Sequence, residues 1–447
     1  MYMPKKIILK NGARVVLEPY KGTEAVTVLV LFKVGSRHET KDINGVSHFI
    51  EHMMFKGTGK RPNTQLITRE LDGLGAEYNA FTAKDHTGYY IKINSEHKEV
   101  ALDMLFDMLF NSKFDEKELN RERKVILEEI HMYKDNPMMH IEDMFEQTLF
   151  GDCPLGWSIA GDPESMGKIN RAKMLAYRDA YYLPQNMVIG IAGKIDESVM
   201  KIVEKYFGSL PSSVKKISEI SARGGSAFCA RGRIRSFGGG GKKTVFTPGA
   251  PKVAVEYKDS EQVQLALGFP AYSWWDKRLA ALRLMTNILG GTMSSRLFIA
   301  VRERRGLAYS IHAGIDHYED IGVLTVRAGL DKSRIELAMK TILDELKKMA
   351  KDGVTAAELR RAKENIRGRI ILSLEDSEAL AAWYAKEELD KHEIKTPADK
   401  LKEIAAVTMA EVKAVAADVI KNNKVALAII GPYKDVKPFR KILRDNF

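Results

Sequence analysis

The chain has 447 residues, 45% of them hydrophobic, which is long enough for two core-bearing domains. Its two cysteines, Cys153 and Cys229, are far too few for a disulfide framework and point to a reducing compartment. The formal charge of +11 raises nucleic acid as a partner, but the location of that charge, taken up below, argues against it.

The N-terminus, "MYMPKKIILKNGARVVLEPY", turns to strand-like alternation without an apolar signal core. No run approaches the roughly 18 apolar residues of a membrane helix, so the expectation is a cytoplasmic protein with no membrane partner. Next comes "NGVSHFIEHMMFKGTGKRP", residues 44–62. Val46 to Lys56 lacks Pro and Gly and is bounded by Gly45, Gly57 and Gly59, which predicts a short helix with Ser47 as N-cap. His48 and His52 are then i,i+4 neighbours with Glu51 on the same face. Two imidazoles one turn apart chelate zinc, and the carboxylate between them can take a proton from water. The alternative is two packed histidines beside a surface glutamate.

A catalytic zinc takes a third protein ligand. "FDEKELNRERKVILEEIHMY" (114–133) supplies candidates, with Asp115 and Glu118 as a capping box opening a helix to about Lys134. With Glu122 at zero on a wheel of about 100° per residue, Ile126 falls near +40°, Val125 near −60°, Tyr133 near +20° and Glu129 near −20°. Glu122 and Glu129 thus share the apolar, inward face, where a carboxylate is costly unless a cation compensates it. Glu128, near −120°, belongs to solvent. Glu129 is the better third ligand and Glu122 the partner of a ligating histidine; the alternative is two glutamates at the edge of a buried stripe.

Between Val214 and Lys252 stand nine basic residues and one acid, Glu219, a net +8 that is most of the total charge. The stretch is glycine-rich and aperiodic, so it reads as a linker rather than a nucleic-acid surface. "GGGGKKT" is no phosphate loop, because Lys243 stands where Ser or Thr is required. On either side of it the chain repeats. "HTGYYIKINSEHKEVALDMLFDMLFNSKFDEKELNRER" (86–123) is echoed by 321–363, Leu119 answering Leu359, and "NMVIGIAG" (186–193) by "NKVALAIIG" (423–431). The expected architecture is α+β, with two homologous sandwich domains of mostly antiparallel sheet and packed helices. Their bounds are 1–212 and 253–447, joined by the linker 213–252. The second copy has "LMTNILGGTMSSRLF" where the first has its histidines. Further on, "VRERRGLAYSI" presents Arg302 and Tyr309 on either side of Gly306, which by itself reads as a charged helix end followed by a core tyrosine.

Taken together, "HFIEH", "NAFTAKDHTGYY" (79–90), "RERKVILEEI" (121–130), "LPQNMVIGIAG" (183–193) and "LGGTMSSRLFIAVRERRGLAYSI" (289–311) resemble the inverzincin peptidases, the family of mitochondrial processing peptidase, pitrilysin and insulin-degrading enzyme. The resemblance implies one zinc per chain on His48, His52 and Glu129, with Glu51 as general base and Glu122 in support. It implies a peptide or unfolded polypeptide substrate, added as a strand to an edge formed by Asn79, Ala80 and Phe81. It further implies that Arg302 and Tyr309 reach across from the second half to hold the peptide and polarise its carbonyl; the neighbouring Arg304 and Arg305 read as solvated and serve as controls. A homodimer of complete protomers fits the retention of both residue sets; a heterodimer, or a non-catalytic scaffold or regulatory subunit, is the competing arrangement. A first half ending near Ser212 should then hold zinc without cleaving. One departure stands out: members often carry Pro-Leu-Gly-Arg where this chain has "PLGW", Pro154 to Trp157.

Overall fold

The computed structural model describes residues 4–211 and 251–446. The linker expected at 213–252 lies outside the described residues except for its last two, and Lys252 already begins a strand.

In the first half, β1 (Lys5–Ile8), β2 (Arg14–Pro19), β3 (Ala25–Phe32), β4 (Glu77–Thr82), β5 (Thr87–Asn94) and β6 (Met187–Gly193) form one sheet. Its helices are α1 (Val46–Met54), α2 (Thr64–Asp72), α3 (Lys98–Asn111), α4 (Glu116–Asp135), α5 (Pro137–Phe150), α6 (Pro163–Lys168), α7 (Arg171–Tyr181) and α8 (Ser198–Phe207). In the second half, β7 (Lys252–Tyr257), β8 (Gln262–Ala271), β9 (Ala308–His317), β10 (Gly322–Asp331) and β11 (Ala426–Gly431) form another. Its helices are α9 (Leu279–Gly290), α10 (Ile335–Asp352), α11 (Ala356–Ser373), α12 (Ser377–Lys391), α13 (Pro397–Ala406), α14 (Met409–Val419) and α15 (Lys437–Asn446).

The sheet orders are β1-β2-β6-β3-β5-β4 and β7-β11-β8-β10-β9. Leaving β1 aside, they correspond strand for strand, down to the one parallel pair in each, β2 with β6 and β7 with β11. Two α+β units of one topology are therefore present. Among the described residues no helix is long and apolar enough to cross a membrane.

The helix layers are exchanged between the halves. Along β3, Val26, Val28, Val30 and Phe32 face the first half's own helices, while Leu29 and Leu31 point to the opposite face, as a period of two requires. That opposite face is covered by α12 from the second half, through Leu380, Ala381, Tyr384, Ala385 and Leu389. Gly190 of β6 permits the close approach: a Cβ there would stand 2.8 Å from the Ala381 carbonyl oxygen and from the Ala385 methyl. Reciprocally, α5 of the first half lays Ile141, Phe145 and Leu149 on Ala266, Ala426, Ala428 and Ile430 of the second sheet. Each sheet is buried on both faces, so β6 is apolar throughout. A fragment ending near 212 would lack α12 and bare Leu29, Leu31 and Val188, which removes the expectation that the first half stands alone.

Candidate active site

Helix α1 packs Val46, Phe49, Ile50, Met53 and Met54 into the first half's core with no exposed surface. His48, Glu51 and His52 are left on the remaining face. The cap differs from expectation. Gly45, in a left-handed conformation (φ 91°), is the N-cap, and the fully buried Glu39 does the capping, accepting from the Gly45 N–H (2.7 Å) and the Ser47 N–H (2.8 Å). The Ser47 hydroxyl is spent on Tyr177 (3.0 Å). A carboxylate serves here because two donors of the first turn are buried and need an acceptor.

Helix α4 begins at Asp115, which accepts from the Lys117 and Glu118 N–H groups. The box does not close, because Glu118 turns to Arg121 instead (2.8 Å). Leu119, Glu122 and Ile126 face inward as the wheel has them, and Glu128 points to solvent. Val125 is 48% exposed, so the buried stripe is narrower than the wheel suggests.

The two helices bring their polar groups together. The Nε2 atoms of His48 and His52 are 3.2 Å apart; one Glu129 oxygen lies 3.7 Å from the first, and the other 3.5 Å from the second. The ligand atoms of all three lie within 4.8 Å of one another. Tetrahedral zinc with bonds of about 2.0–2.1 Å sets its ligands about 3.3 Å apart, so these three residues fit a divalent metal. Their surroundings prepare them for it. His52 Nδ1 faces Glu122 (2.9 Å), which holds the proton on that nitrogen and leaves Nε2 bare. Burial, aided by His52, lowers the His48 pKa to about 3, so that ring is neutral. Burial pushes Glu122 up, but its contacts with His52 and with Lys56 (2.7 Å) prevail and hold it below the usual carboxylate range. The Tyr133 hydroxyl donates to Glu129 Oε1 (2.9 Å). Glu51 is raised by burial and by Glu129, against the lowering effects of Thr82 and His52.

Strand β4 forms the sheet's edge, with β5 as its partner. Asn79 and Phe81 are exposed on it and Ala80 is half-buried, its N–H accepted by Asn79 Oδ1 (2.9 Å). Thr82, the last residue of β4, donates to Glu51 Oε2 (2.5 Å), so the edge strand touches the carboxylate. Beside Tyr133 a cleft of about 280 Å³ opens, lined by His140, Asp143, Gln147 and Trp157. Trp157, in place of the expected arginine, bonds Asp152 (2.7 Å) and stacks under Lys41.

Arg302 and Tyr309 are together but apart from this cluster. The guanidinium lies 5.6 Å from the Tyr309 ring, and Gly306 turns the chain between them at φ 56°. Tyr309 is 72% exposed, which overturns the reading of it as a core tyrosine. Strand β9 meets the first half at its other end, where Tyr318 bonds Glu146 (3.0 Å) and Asp320 bonds Arg37 (2.9 Å). From Tyr309 to His317 is a run of strand about 27 Å long. Tyr309 therefore stands at the end of β9 remote from its own chain's His–His–Glu cluster.

Thr82, Tyr133, Lys56 and Glu39 escaped sequence reasoning. Tyr133 alone had a signal, its i+4 spacing from Glu129.

The chain matches the family description "Insulinase (Peptidase family M16)" over residues 14–163 and "Peptidase M16 inactive domain" over 168–366. It is 37% identical to the "Uncharacterized zinc protease YmxG" of Bacillus subtilis, over 96% of this chain and 98% of that one. It is 34% identical to the "Uncharacterized zinc protease Rv2782c" of Mycobacterium tuberculosis, over 99% and 96%. Among solved structures, a protease from Helicobacter pylori superposes with a TM-score of 0.86 at 25% identity, covering 96% of this chain and all of the other. A Pseudomonas fluorescens structure described as a peptidase M16 inactive domain shares the fold, with a TM-score of 0.85 at 20% identity, over 97% and 98%. The chain belongs to peptidase family M16, as a half-length member of two like domains.

Proposed function

We propose that the chain is a zinc metalloendopeptidase that hydrolyses unfolded peptides, with one zinc per chain held by His48, His52 and Glu129. The observation that carries this reading is the convergence of those three ligands beside Glu51 and an edge strand. Zinc, when bound, supplies Lewis-acid charge that polarises the scissile carbonyl and acidifies the attacking water. The chain's own residues do the rest. Asn79, Ala80 and Phe81 offer the open edge of β4 to an extended peptide, so main-chain bonding sets the register and sequence preference is weak. The cleft beside Tyr133 gives one substrate side chain room. Glu51 takes the proton of the attacking water on Oε1, which has no partner among the described residues, and returns it to the leaving amine. Glu122 fixes the His52 tautomer, and Tyr133 holds one oxygen of Glu129.

The oxyanion that develops calls for donors beyond this half, and Tyr309 with Arg302 are suited to it. Their exposure and the length of β9 support a supply in trans, from the second half of another copy in a homodimer. The competing role, a non-catalytic subunit, finds no support in a site whose ligands and base are all retained. Glu51→Gln tests the reading. Zinc content and peptide binding should persist while turnover falls by about 10²–10⁴. Undiminished turnover would end it.

A further inference from the structure

A single side-chain hydrogen bond reaches Glu51 among the described residues, and it comes from Thr82. The placement of that hydroxyl is unusually determined. Thr82 closes β4 opposite Thr87, whose own hydroxyl is fixed on the Val34 carbonyl (2.8 Å). The turn that follows is tied to the backbone beneath it, with the Ser36 N–H on the Ala83 carbonyl (3.1 Å) and the Arg37 N–H on that of Lys84 (3.0 Å). Gly35 makes this approach feasible, since a Cβ there would stand 2.1 Å from the Ala83 oxygen. The second half then clamps the same turn. Arg37 bridges Asp85 (2.8 Å) and Asp320 (2.9 Å), and the Glu319 N–H donates to Asp85 (3.1 Å). The turn after Thr82 is thus held from both halves of its own chain.

We infer that Thr82 is a positioning residue for the hydrolysis: its hydroxyl pins one oxygen of Glu51 and so directs the other at the attacking water. The inference rests on the reading of Glu51 as general base. A half-buried carboxylate with one anchored oxygen loses the freedom to rotate away from the reacting centre, and orientation of this kind is worth about one to two orders of magnitude in rate. The anchor also sits on the strand that would receive the substrate, so peptide binding along β4 and placement of the base share one structural element. The clamp through Asp85 and Asp320 gives the second half a role in cis, distinct from that of Tyr309.

The test compares Thr82→Val, nearly isosteric but without a hydroxyl, with Thr82→Ser, which keeps it, and with Glu51→Gln. Peptide kcat and KM, zinc content and melting temperature are measured for each. Thr82→Val should lose about 10- to 100-fold in kcat, with KM, zinc and melting temperature near wild type, and Thr82→Ser should recover most of the loss. A wild-type kcat in Thr82→Val beside an inactive Glu51→Gln would overturn the inference and leave the base assignment intact. Equal losses in the Val and Ser variants, or a loss that follows zinc content, would also overturn it. Should Thr82→Val fail to fold, Thr82→Ala must show the same kcat loss; unfolding of both would make the hydroxyl a stability feature and refute the role. Full turnover by Glu51→Gln would bring down the functional reading and this inference with it.

Discussion

The two halves share a sheet order and differ at the positions that build the candidate site. After β3 the first half places α1, with three polar side chains left on one face; after β8 the second places α9, which buries Leu282, Leu284, Met285, Thr286, Ile288 and Leu289 in its core. The helix pair α4 and α11 sharpens the contrast. With Leu119 aligned on Leu359, Glu122 falls opposite Ala362, Glu129 opposite Arg369 and Tyr133 opposite Ser373. Ile126 and Ile366 remain apolar and packed in their own cores. Where the first half presents a ligand, the second presents a cation that bonds the Gly291 carbonyl (3.2 Å). Both copies keep the apolar positions that the sheets need and differ on the face left unburied. The His48, His52 and Glu129 side chains lie outside the apolar core, so the fold does not require them in both copies.

That contrast can be broken at several points. The largest effect falls on the metal: His48→Ala or Glu129→Gln should lose most of the zinc by elemental analysis while the domain stays folded, since a chelate of two ligands is much weaker than one of three. Full zinc in Glu129→Gln would overturn Glu129 as a ligand, and the solvent-facing Glu128 offers no replacement. On the second half's side, Tyr309→Phe should lower the cleavage rate by about 10²–10³, the usual loss for one oxyanion donor, at unchanged melting temperature. Arg302→Ala should weaken peptide binding as well, and Arg304→Ala, on an exposed residue, should do little. Wild-type rates in both Tyr309→Phe and Arg302→Ala would reduce the second half to a scaffold.

Smaller effects test how the halves hold each other. Tyr384 of α12 is 1% exposed against the first sheet, so Tyr384→Ala should cost about 3–5 kcal/mol. Because the helices are exchanged, calorimetry should show both halves melting in one transition; two separate transitions would contradict the exchange. Acid gives the most gradual effect, spread over several pH units. Burial holds His38 and His317 at about 4 and His86 at about 3, well below the usual value of an imidazole. These rings stay neutral in the fold but take up protons near pH 6.5 when unfolded. Stability should therefore be intact above pH 6.5 and fall as the pH drops from there toward 4, by up to about 1.4 kcal/mol per pH unit for each ring. A flat profile in denaturant titrations would show that these rings are less enclosed than they look.

The two-unit fold was legible because period-two and period-3.6 patterns recur with matching spacing, and those patterns report which face of an element is apolar. They do not report what covers it. The alternation of Leu29 and Leu31 in β3 marks a second buried face, yet nothing local names α12 as its cover. The same limit governs the site. His48, His52, Glu122 and Glu129 lie on two helices whose faces the sequence orients. Thr82 and Glu39, by contrast, reach their partners across 31 and 6 residues through loops without periodicity. Arg302 and Tyr309 were recognisable as a pair, but their distance from the cluster depends on the length and direction of β9, which only the assembled sheet defines.

The central claim is that one chain's first half works with another chain's second half, and mixing two inactive proteins tests it most directly. Glu51→Gln and Tyr309→Phe chains, each purified, are combined under conditions that let subunits exchange, and peptide hydrolysis is followed. Supply in trans requires recovery of about a quarter of the wild-type rate, because half of the randomly formed dimers carry one site with both residues intact. A mixture as inactive as its components, with subunit exchange verified by a tag, would contradict the claim and return Tyr309 to its own chain or to no role at all.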